Sequence, residues 1–323
     1  MNMTKVVARI LSATVMMCTS CTMEPEKGTG WEPVSFSAVV NTKSSAMEIG
    51  TLDLLVFHPD GRIGTYSRVH GDEVRARVST GSMMEWYLVA NAPDGGLDGI
   101  SSEQSLLSCL SRLSDNDPSE FVMAASGKQV FAAGDHVDAE LVRLPCKITL
   151  ESFTPRFLEG SYSGCDVRMT GLFLLNVVGS CPYSMVPQAG DWYNKMGVDV
   201  SLPQNVRDCI VKEFDIPLSA SRVDGPWSFY CMPNPVDNGI HSGTSPAWSP
   251  RNTRLVLELS IDGVKSWYPI DLPAMKCNHE YIVESLILLG EGSEHPDIPV
   301  TRRDIVFDVS VNPWENESKE IIF

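Results

Sequence analysis

The chain has 323 residues, with 25 Lys plus Arg against 41 Asp plus Glu, 43% hydrophobic residues and 8% aromatics. This length is typical of about two domains, and the apolar fraction is high enough for most of the chain to bury a core. The formal net charge of −16 argues against nucleic acid as a partner and against enzymes that attract anionic substrates, because an acidic surface repels phosphate and carboxylate groups.

The first 20 residues have the pattern of a secretory signal. Basic residues precede the apolar run Ile10–Met17, which is too short for a transmembrane helix of about 20 residues. Ser20-Cys21 is similar to the end of a bacterial lipobox, where the Cys after a small residue is diacylated. We therefore predict a lipoprotein signal peptide over residues 1–20, a lipid on Cys21 and a polar tether over residues 21–33. The alternative is an ordinary signal peptide that is cleaved nearby without a lipid.

The cysteines beyond the leader show no regular framework. Seven lie after Cys21, an odd number with irregular spacing, and no C-x-x-C motif occurs among them. A disulfide framework or a structural zinc site would need paired or regularly spaced cysteines. We therefore interpret most of them as small buried hydrophobic residues: Cys109, Cys146, Cys165, Cys181, Cys209, Cys231 and Cys277.

Alternation of apolar and polar residues dominates the chain and predicts strands. The first strand has four apolar residues on one face, Val34, Phe36, Ala38 and Val40. Later, two apolar runs flank Asp262-Gly263, which is the strongest hairpin signal in the chain.

Two segments have helical spacing instead. Ser101 or Ser102 can cap a first helix, in which leucines recur at three- and four-residue intervals as far as Leu113, and a second short pattern covers residues 203–214. Many short strands with one or two short helices predict an all-β protein of two β-sandwich domains. We place the N-terminal domain at residues 34–146 and the C-terminal domain at residues 147–323.

Sequence motifs for catalysis are missing. Gly160–Gly164 has the outline of a G-x-S-x-G nucleophile motif, but Tyr162 stands in the place of the serine. The six histidines are scattered and form no H-E-x-x-H metal motif. We therefore predict no catalytic residue, no cofactor, no metal site and no enzymatic activity.

The two ends of the chain suggest a different function. The first strand is followed by a polar linker that contains Lys43, so a cut there would separate that strand, and the lipid with it, from the rest of the chain. The edge left behind could accept a strand from another molecule. Residues of the type that could fill it occur near the C-terminus: Ile305, Phe307, Val309, Val311, Ile321 and Phe323. The alternative is that both terminal strands are ordinary edge strands.

Several segments, spread over nearly the whole chain, share their order and spacing with a known family. They are the leader, the first strand with Lys43, and residues 52–61, 87–92, 143–148, 171–179, 229–235, 267–270, 277–281, 292–296 and 309–314. In these segments the sequence resembles the FimA-type fimbrillins, the pilin superfamily of Bacteroidales. The C-terminal segments are the most specific part of the resemblance.

The resemblance implies two transthyretin-like β-sandwich domains, export as an outer-membrane lipoprotein, and removal of the first strand at the cell surface. It also implies polymerisation with other fimbrial subunits by strand exchange, in support of adhesion. The family's cut usually follows Arg, whereas the candidate here is Lys43, and no Arg lies between Cys21 and Arg62. An uncut chain would keep its lipid and its own strand, as anchor subunits of this family do; we favour a stalk role over anchor or tip.

Two other classes of function stay open at this point. A surface lipoprotein that does not polymerise could bind a glycan or a host or bacterial surface ligand through loop aromatics such as Trp192, Tyr193 or Trp248. A secreted hydrolase is the weakest alternative, because no nucleophile, metal or motif supports it.

Overall fold

The computed structural model describes residues 30–40, 49–160, 162–188, 190–245, 247–301 and 304–314. Strands dominate these residues, and only two α-helices occur among them. The all-β prediction is confirmed. No helix in the described residues is long and apolar enough to cross a membrane.

The described residues of the first half form nine strands and one short helix. The strands are β1 (Trp31–Val39), β2 (Thr51–Phe57), β3 (Ile63–His70), β4 (Glu73–Ser79), β5 (Met83–Ala90), β6 (Leu110–Arg112), β7 (Met123–Val130), β8 (His136–Glu140) and β9 (Val142–Arg143). The helix α1 spans Glu103–Leu107, and a 3-10 turn spans Leu113–Asp115.

The second half contains eleven strands. They are β10 (Cys146–Pro155), β11 (Val167–Leu175), β12 (Val177–Val178), β13 (Ser180–Pro182), β14 (Trp192–Tyr193), β15 (Val211–Pro217), β16 (Val223–Cys231), β17 (Arg254–Ile261), β18 (Val264–Asp271), β19 (His279–Leu288) and β20 (Ile305–Pro313). The helix α2 spans Gln204–Ile210, and a 3-10 turn spans Arg156–Glu159.

Each half forms two sheets that face each other across a core. In the first half, a three-stranded sheet in the order β4-β1-β8 covers one face of a five-stranded sheet in the order β3-β2-β5-β7-β9. In the second half, the sheets β16-β10-β19-β20 and β15-β11-β17-β18 enclose the larger core. This larger core continues onto the other face of the five-stranded sheet, through Leu55, Phe57 and Tyr87. A short ladder between β13 and β6 also joins the two halves.

The α1 region corrects one sequence prediction. Ser102 caps the helix and forms a capping box with Ser105, as its position suggests, but the helix ends at Leu107. The predicted continuation to Leu110 and Leu113 is wrong. Leu110 begins β6, which pairs with β13, so pairing with a distant strand overrides the local helical spacing.

The β17–β18 hairpin confirms a second prediction. Its two turn residues, Asp262 and Gly263, have φ angles of 48° and 82°, the left-handed geometry that a two-residue turn of this kind needs.

The predicted helical pattern over 203–214 is correct only as far as Ile210. From Val211 onward the predicted helix is wrong, because these residues form β15, which pairs with β11.

A buried charged cluster fixes the long loop between β16 and β17. The side chains of Arg251, Arg254 and Asp297 are fully buried, and both guanidinium groups contact the Asp297 carboxylate, that of Arg251 at 2.7 Å. Ser242 in the loop donates two hydrogen bonds to the same carboxylate, at 2.7 and 2.9 Å. The second guanidinium also contacts Asp271 at 2.5 Å. Since the charges of Arg251, Arg254 and Asp297 are all paired, the loop is held against the sandwich although its described residues form no helix or strand.

Candidate functional site

β1 lies in the middle of its sheet. It runs antiparallel to β4, with Phe36 opposite Val74, and parallel to β8, with Phe36 beside Val137. Its two neighbours are not paired with each other, and in the described residues neither has another partner in this sheet. β1 is therefore the only strand that holds the three-stranded sheet together.

Three of the four predicted side chains on β1 face the core. Val34, Phe36 and Ala38 are 2%, 0% and 9% exposed. The Phe36 ring lies 5.7 Å from the rings of both Trp86 and Phe131, measured between centroids. Val40 follows the strand and packs half-buried against the same core. The apolar alternation in the sequence therefore identifies the face of β1 that packs against the core.

Backbone hydrogen bonds show how closely β8 depends on β1. The amide before β8, on Gly134, donates to the Pro33 carbonyl at 3.0 Å, and the amide after it, on Leu141, donates to the Val39 carbonyl at 2.8 Å. Removal of β1 would open a slot one strand wide, with backbone groups on both walls and an apolar floor that includes Trp86. Such a slot would select an extended segment with apolar side chains at every second position.

Two predicted site residues lie outside the described part of the chain. Cys21 precedes residue 30, and Lys43 falls in the segment 41–48 between β1 and β2. Lipidation and cleavage at these positions stay predictions.

β20 is an edge strand of the C-terminal half. Among the described residues it pairs with β19 alone, from Ile305 opposite Leu288 to Pro313 opposite His279. Ile305 is buried, and Phe307 and Val309 pack half-buried against the larger core, whereas Val311 is 45% exposed. In the described residues β20 is therefore an edge strand of its sheet, whereas β1 is a central strand.

Trp314 anchors the end of β20. It is 6% exposed and stacks with Tyr230 at 5.6 Å between ring centroids, while the Arg143 guanidinium lies 4.7 Å above its ring. Its amide donates to the Asn278 carbonyl at 2.8 Å, and its carbonyl accepts from Arg143 at 3.1 Å. Ile321 and Phe323, the other predicted donor residues, lie outside the described residues.

Sequence reasoning missed two features of this site. It anticipated one open edge after loss of the first strand, whereas the slot has two walls, because β8 pairs with β1 from about a hundred residues away. The alternation of Val137 and Ala139 with polar neighbours indicates that β8 is a strand, but it does not indicate which strand β8 pairs with. The anchoring of Trp314 by Arg143 was also missed, since nothing local relates two residues so far apart.

The loop aromatics named for the alternative function come together in space. The rings of Trp192 and Trp248 lie 5.2 Å apart in an edge-to-face arrangement, and both side chains are half-buried. The Trp248 indole donates to Asn176 at 3.0 Å, and Lys195 lies 4.7 Å above its ring. These contacts cover part of the ring surface on which a sugar would have to stack.

Catalytic chemistry finds no support in the side chains that are described. No group of three or more His, Cys, Asp or Glu among them is arranged to hold a metal ion. Burial raises the pKa of the Cys209 thiol to about 11, and the pKa of Cys109 is raised for the same reason, so both thiols are less reactive at neutral pH than an ordinary exposed cysteine.

Comparisons with known proteins agree with this architecture. The sequence matches no protein-family model and no curated protein. A fimbrilin (FimA) from Porphyromonas gingivalis has a TM-score of 0.64 at 13% identity, over 88% of this chain and 98% of that chain. A protein proposed to act in cell adhesion, from Bacteroides eggerthii, has a TM-score of 0.64 at 16% identity, over 88% and 97%. The tip fimbrial protein Mfa3 of P. gingivalis, with a C-terminal truncation, has a TM-score of 0.50 at 14% identity, over 87% and 100%. The chain therefore has a fimbrillin-type fold.

Proposed function

We propose that this protein is a structural subunit of a cell-surface fimbria that polymerises by strand exchange and has no enzymatic activity. The observation that carries the proposal is the position of β1. It is the central strand of its sheet, and its core-facing side chains are buried. It is joined to the rest of the chain through a linker that contains Lys43.

In the proposed assembly, the chain is exported with a lipid on Cys21 and held at the outer membrane through it. Cleavage after Lys43 releases β1, and the slot between β4 and β8 opens. A C-terminal strand of a neighbouring subunit then enters the slot and restores both ladders. We favour a stalk role, because a chain that loses residues 21–43 also loses its lipid.

The pattern of side chains supports this exchange. β1 presents Val34, Phe36 and Ala38 to the core, an aromatic ring between two aliphatic residues at two-residue spacing. Ile305, Phe307 and Val309 in β20 repeat that order of aliphatic, aromatic and aliphatic residues. A donor strand aligned on its Phe would therefore place a ring where the Phe36 ring now packs. Ile321 and Phe323 offer a shorter alternating pair.

The acidic surface also contributes to this assembly. The whole chain has a formal net charge of −16, and an acidic surface makes separate subunits repel one another, which limits non-specific contacts between open sheet edges. Assembly then depends on the specific ladders and the apolar slot, which are short-range and little affected by screened charge.

The proposal is tested by cutting the folded chain. A recognition site for a sequence-specific protease replaces part of residues 41–48, and light scattering follows the mass after cleavage. We expect a monomer before the cut and oligomers after it, and an excess of a synthetic peptide covering residues 305–314 should instead give a one-to-one peptide complex. Release of β1 without oligomers and without peptide uptake would refute strand exchange.

One truncation and one substitution identify the donor segment. A chain that ends at Trp314 keeps β20 but lacks Ile321 and Phe323, whereas Phe307→Asp alters β20 and keeps the tail. Loss of assembly only in the truncated chain assigns the donor to residues 315–323, and loss only with Phe307→Asp assigns it to β20. Val306→Asp is the matched control, because that side chain is 48% exposed on the same strand.

A further inference from the structure

Two pairs of cysteines lie close together in the C-terminal half. Cys146 begins β10 and Cys231 ends β16, and the two residues are directly opposite in the antiparallel ladder. Their sulfurs are 3.5 Å apart, and both side chains are fully buried. The second pair joins Cys181 in β13 to Cys277, two residues before β19, with 3.8 Å between sulfurs.

The backbone geometry of the first pair already suits a disulfide bond. Directly opposite residues in an antiparallel pair have Cα atoms about 4.5–5.5 Å apart, inside the range of about 4.4–6.8 Å that disulfides occupy. The sulfurs need to approach by only about 1.5 Å to reach the bond length of about 2.05 Å. Small changes in the side-chain torsions supply that shift, and the strand register is unchanged.

The second pair has the arrangement of an attacking and a resolving thiol. The Cys277 side chain is half-buried, whereas Cys181 is fully buried. A hydrogen bond between the two sulfurs lowers the pKa of Cys277, and the same contact together with burial raises the pKa of Cys181. Cys277 is therefore the more accessible and the more acidic thiol of the pair and meets an oxidant first, and Cys181 is the thiol that completes the bond.

We propose that Cys146–Cys231 and Cys181–Cys277 are two structural disulfide bonds of the mature protein. In each pair the two thiols lose two protons and two electrons as the S–S bond forms, and a disulfide donor, either an enzyme of the thiol-oxidase class or a small-molecule disulfide, is reduced to two thiols. The inference rests on the exported route in the proposed function, because such bonds persist in oxidising compartments. The Cys146–Cys231 bond forms during folding, since the folded pair is inaccessible.

The remaining cysteines account for the odd number that the sequence shows. Cys109 and Cys165 are half-buried and Cys209 is buried, and none of the three is paired with another cysteine in the described part of the chain. Cys209 is the useful control, because it is as inaccessible as Cys146 and Cys231 but has no sulfur partner there. A comparison with Cys209 therefore distinguishes protection by a disulfide bond from protection by burial alone.

The two bonds would stabilise the part of the fold that holds Trp314. Cys277 is next to Asn278, which accepts hydrogen bonds from the Trp314 amide and from Arg143. Cys146 is close to Arg143 in sequence. Neither pair touches β1, so the slot can open whether or not these bonds are present.

Differential alkylation of the full chain tests the proposal. The protein is refolded with oxidised and reduced glutathione, denatured and labelled with one alkylating reagent, then reduced and labelled with a second. Peptide mass spectrometry reads the label at each cysteine. We expect the second label on Cys146, Cys231, Cys181 and Cys277, and the first label on Cys109, Cys165 and Cys209. The first label on all four paired residues, or bonds that connect other cysteines, would overturn the inference.

A second measurement keeps the test independent of assembly. Protein that is refolded and kept in a reductant throughout should have a thermal midpoint about 10 °C below that of the glutathione-refolded protein, because each bond closes a long loop in the unfolded chain. Cys231→Ala should transfer Cys146 to the first label and leave the Cys181–Cys277 bond intact, and Cys209→Ala should change no other label. Since refolding needs neither export nor cleavage, failed strand exchange leaves this result unaffected, and free thiols would leave strand exchange unaffected.

Discussion

Phe36→Ala is the substitution that should weaken the hold of β1 most directly. The ring is fully buried, and it packs between Trp86 and Phe131 at the interface of the two N-terminal sheets. Burial of a Phe side chain contributes about 1.5–3 kcal/mol by transfer alone, and the cavity and the lost ring contacts add to this. The expected loss is about 4 kcal/mol, within the range of about 3–5 kcal/mol for large core truncations.

Native-state hydrogen exchange is the suitable assay, because a two-sandwich chain need not unfold in a single step. A loss of about 4 kcal/mol corresponds to a rise of about a thousandfold in the exchange of amides that open with β1. The amides of Gly134 and Leu141 report this opening, since both donate to β1 carbonyls. The amide of Leu272, which donates to Thr253 in the second half, is the internal control.

Ser37→Ala is the matched substitution. Ser37 is the next residue of β1, and its side chain points away from the core. We expect its effect to be within about 0.5 kcal/mol, as for most surface changes. Equal exchange in the two variants, or a rise at Leu272 as large as that at Gly134, would show that the Phe36 ring does not hold β1 in place.

Three further predictions concern the second half of the chain. Trp314→Ala should cost about 3–5 kcal/mol and speed amide exchange along β20, whereas Val306→Ala on the same strand should change little. Burial acts to raise the pKa of Asp297, but the Ser242 hydrogen bond and the two buried arginines outweigh it, so the pKa lies below its ordinary value of 3.8. The folded state therefore binds this proton less tightly than the unfolded chain, and the stabilisation is complete above about pH 4 and lost as the pH falls through the lowered pKa. Asp297→Asn should accordingly cost about 3–5 kcal/mol at pH 7, with a smaller difference in acid, measured by urea unfolding at several pH values. Gly263→Ala should cost about 1 kcal/mol in the same assay through left-handed strain alone, because a Cβ there would meet no atom within 4 Å.

The sequence was sufficient for features whose cause is local. Alternation identified the core face of β1, and Asp262-Gly263 identified the hairpin, because side-chain period and turn conformation are both set within a few residues. Ser101 and Ser102 likewise marked the start of α1, and Ser102 is the one that caps it. These elements were predicted from physical rules that do not require knowledge of distant partners.

Features that depend on distant partners could not be obtained in this way. The parallel pairing of β1 with β8 and the pairing of β6 with β13 join residues far apart in the chain, so a strand's neighbours are not encoded in its own pattern. Arg251 and Arg254 resemble ordinary surface charges in the sequence, and only the fold brings Asp297 to them. The same holds for the two cysteine pairs, whose spacing along the chain is irregular.

The most direct test of the strand-exchange account is the exchange protection of Gly134 and Leu141 through the assembly cycle. Both amides should be protected in the uncut chain, because they donate to the Pro33 and Val39 carbonyls of β1. They should lose that protection when β1 is cut and displaced, and regain it in the oligomer, when a strand from a neighbour fills the slot. Protection that survives displacement of β1, or that does not return in the oligomer, would contradict the account.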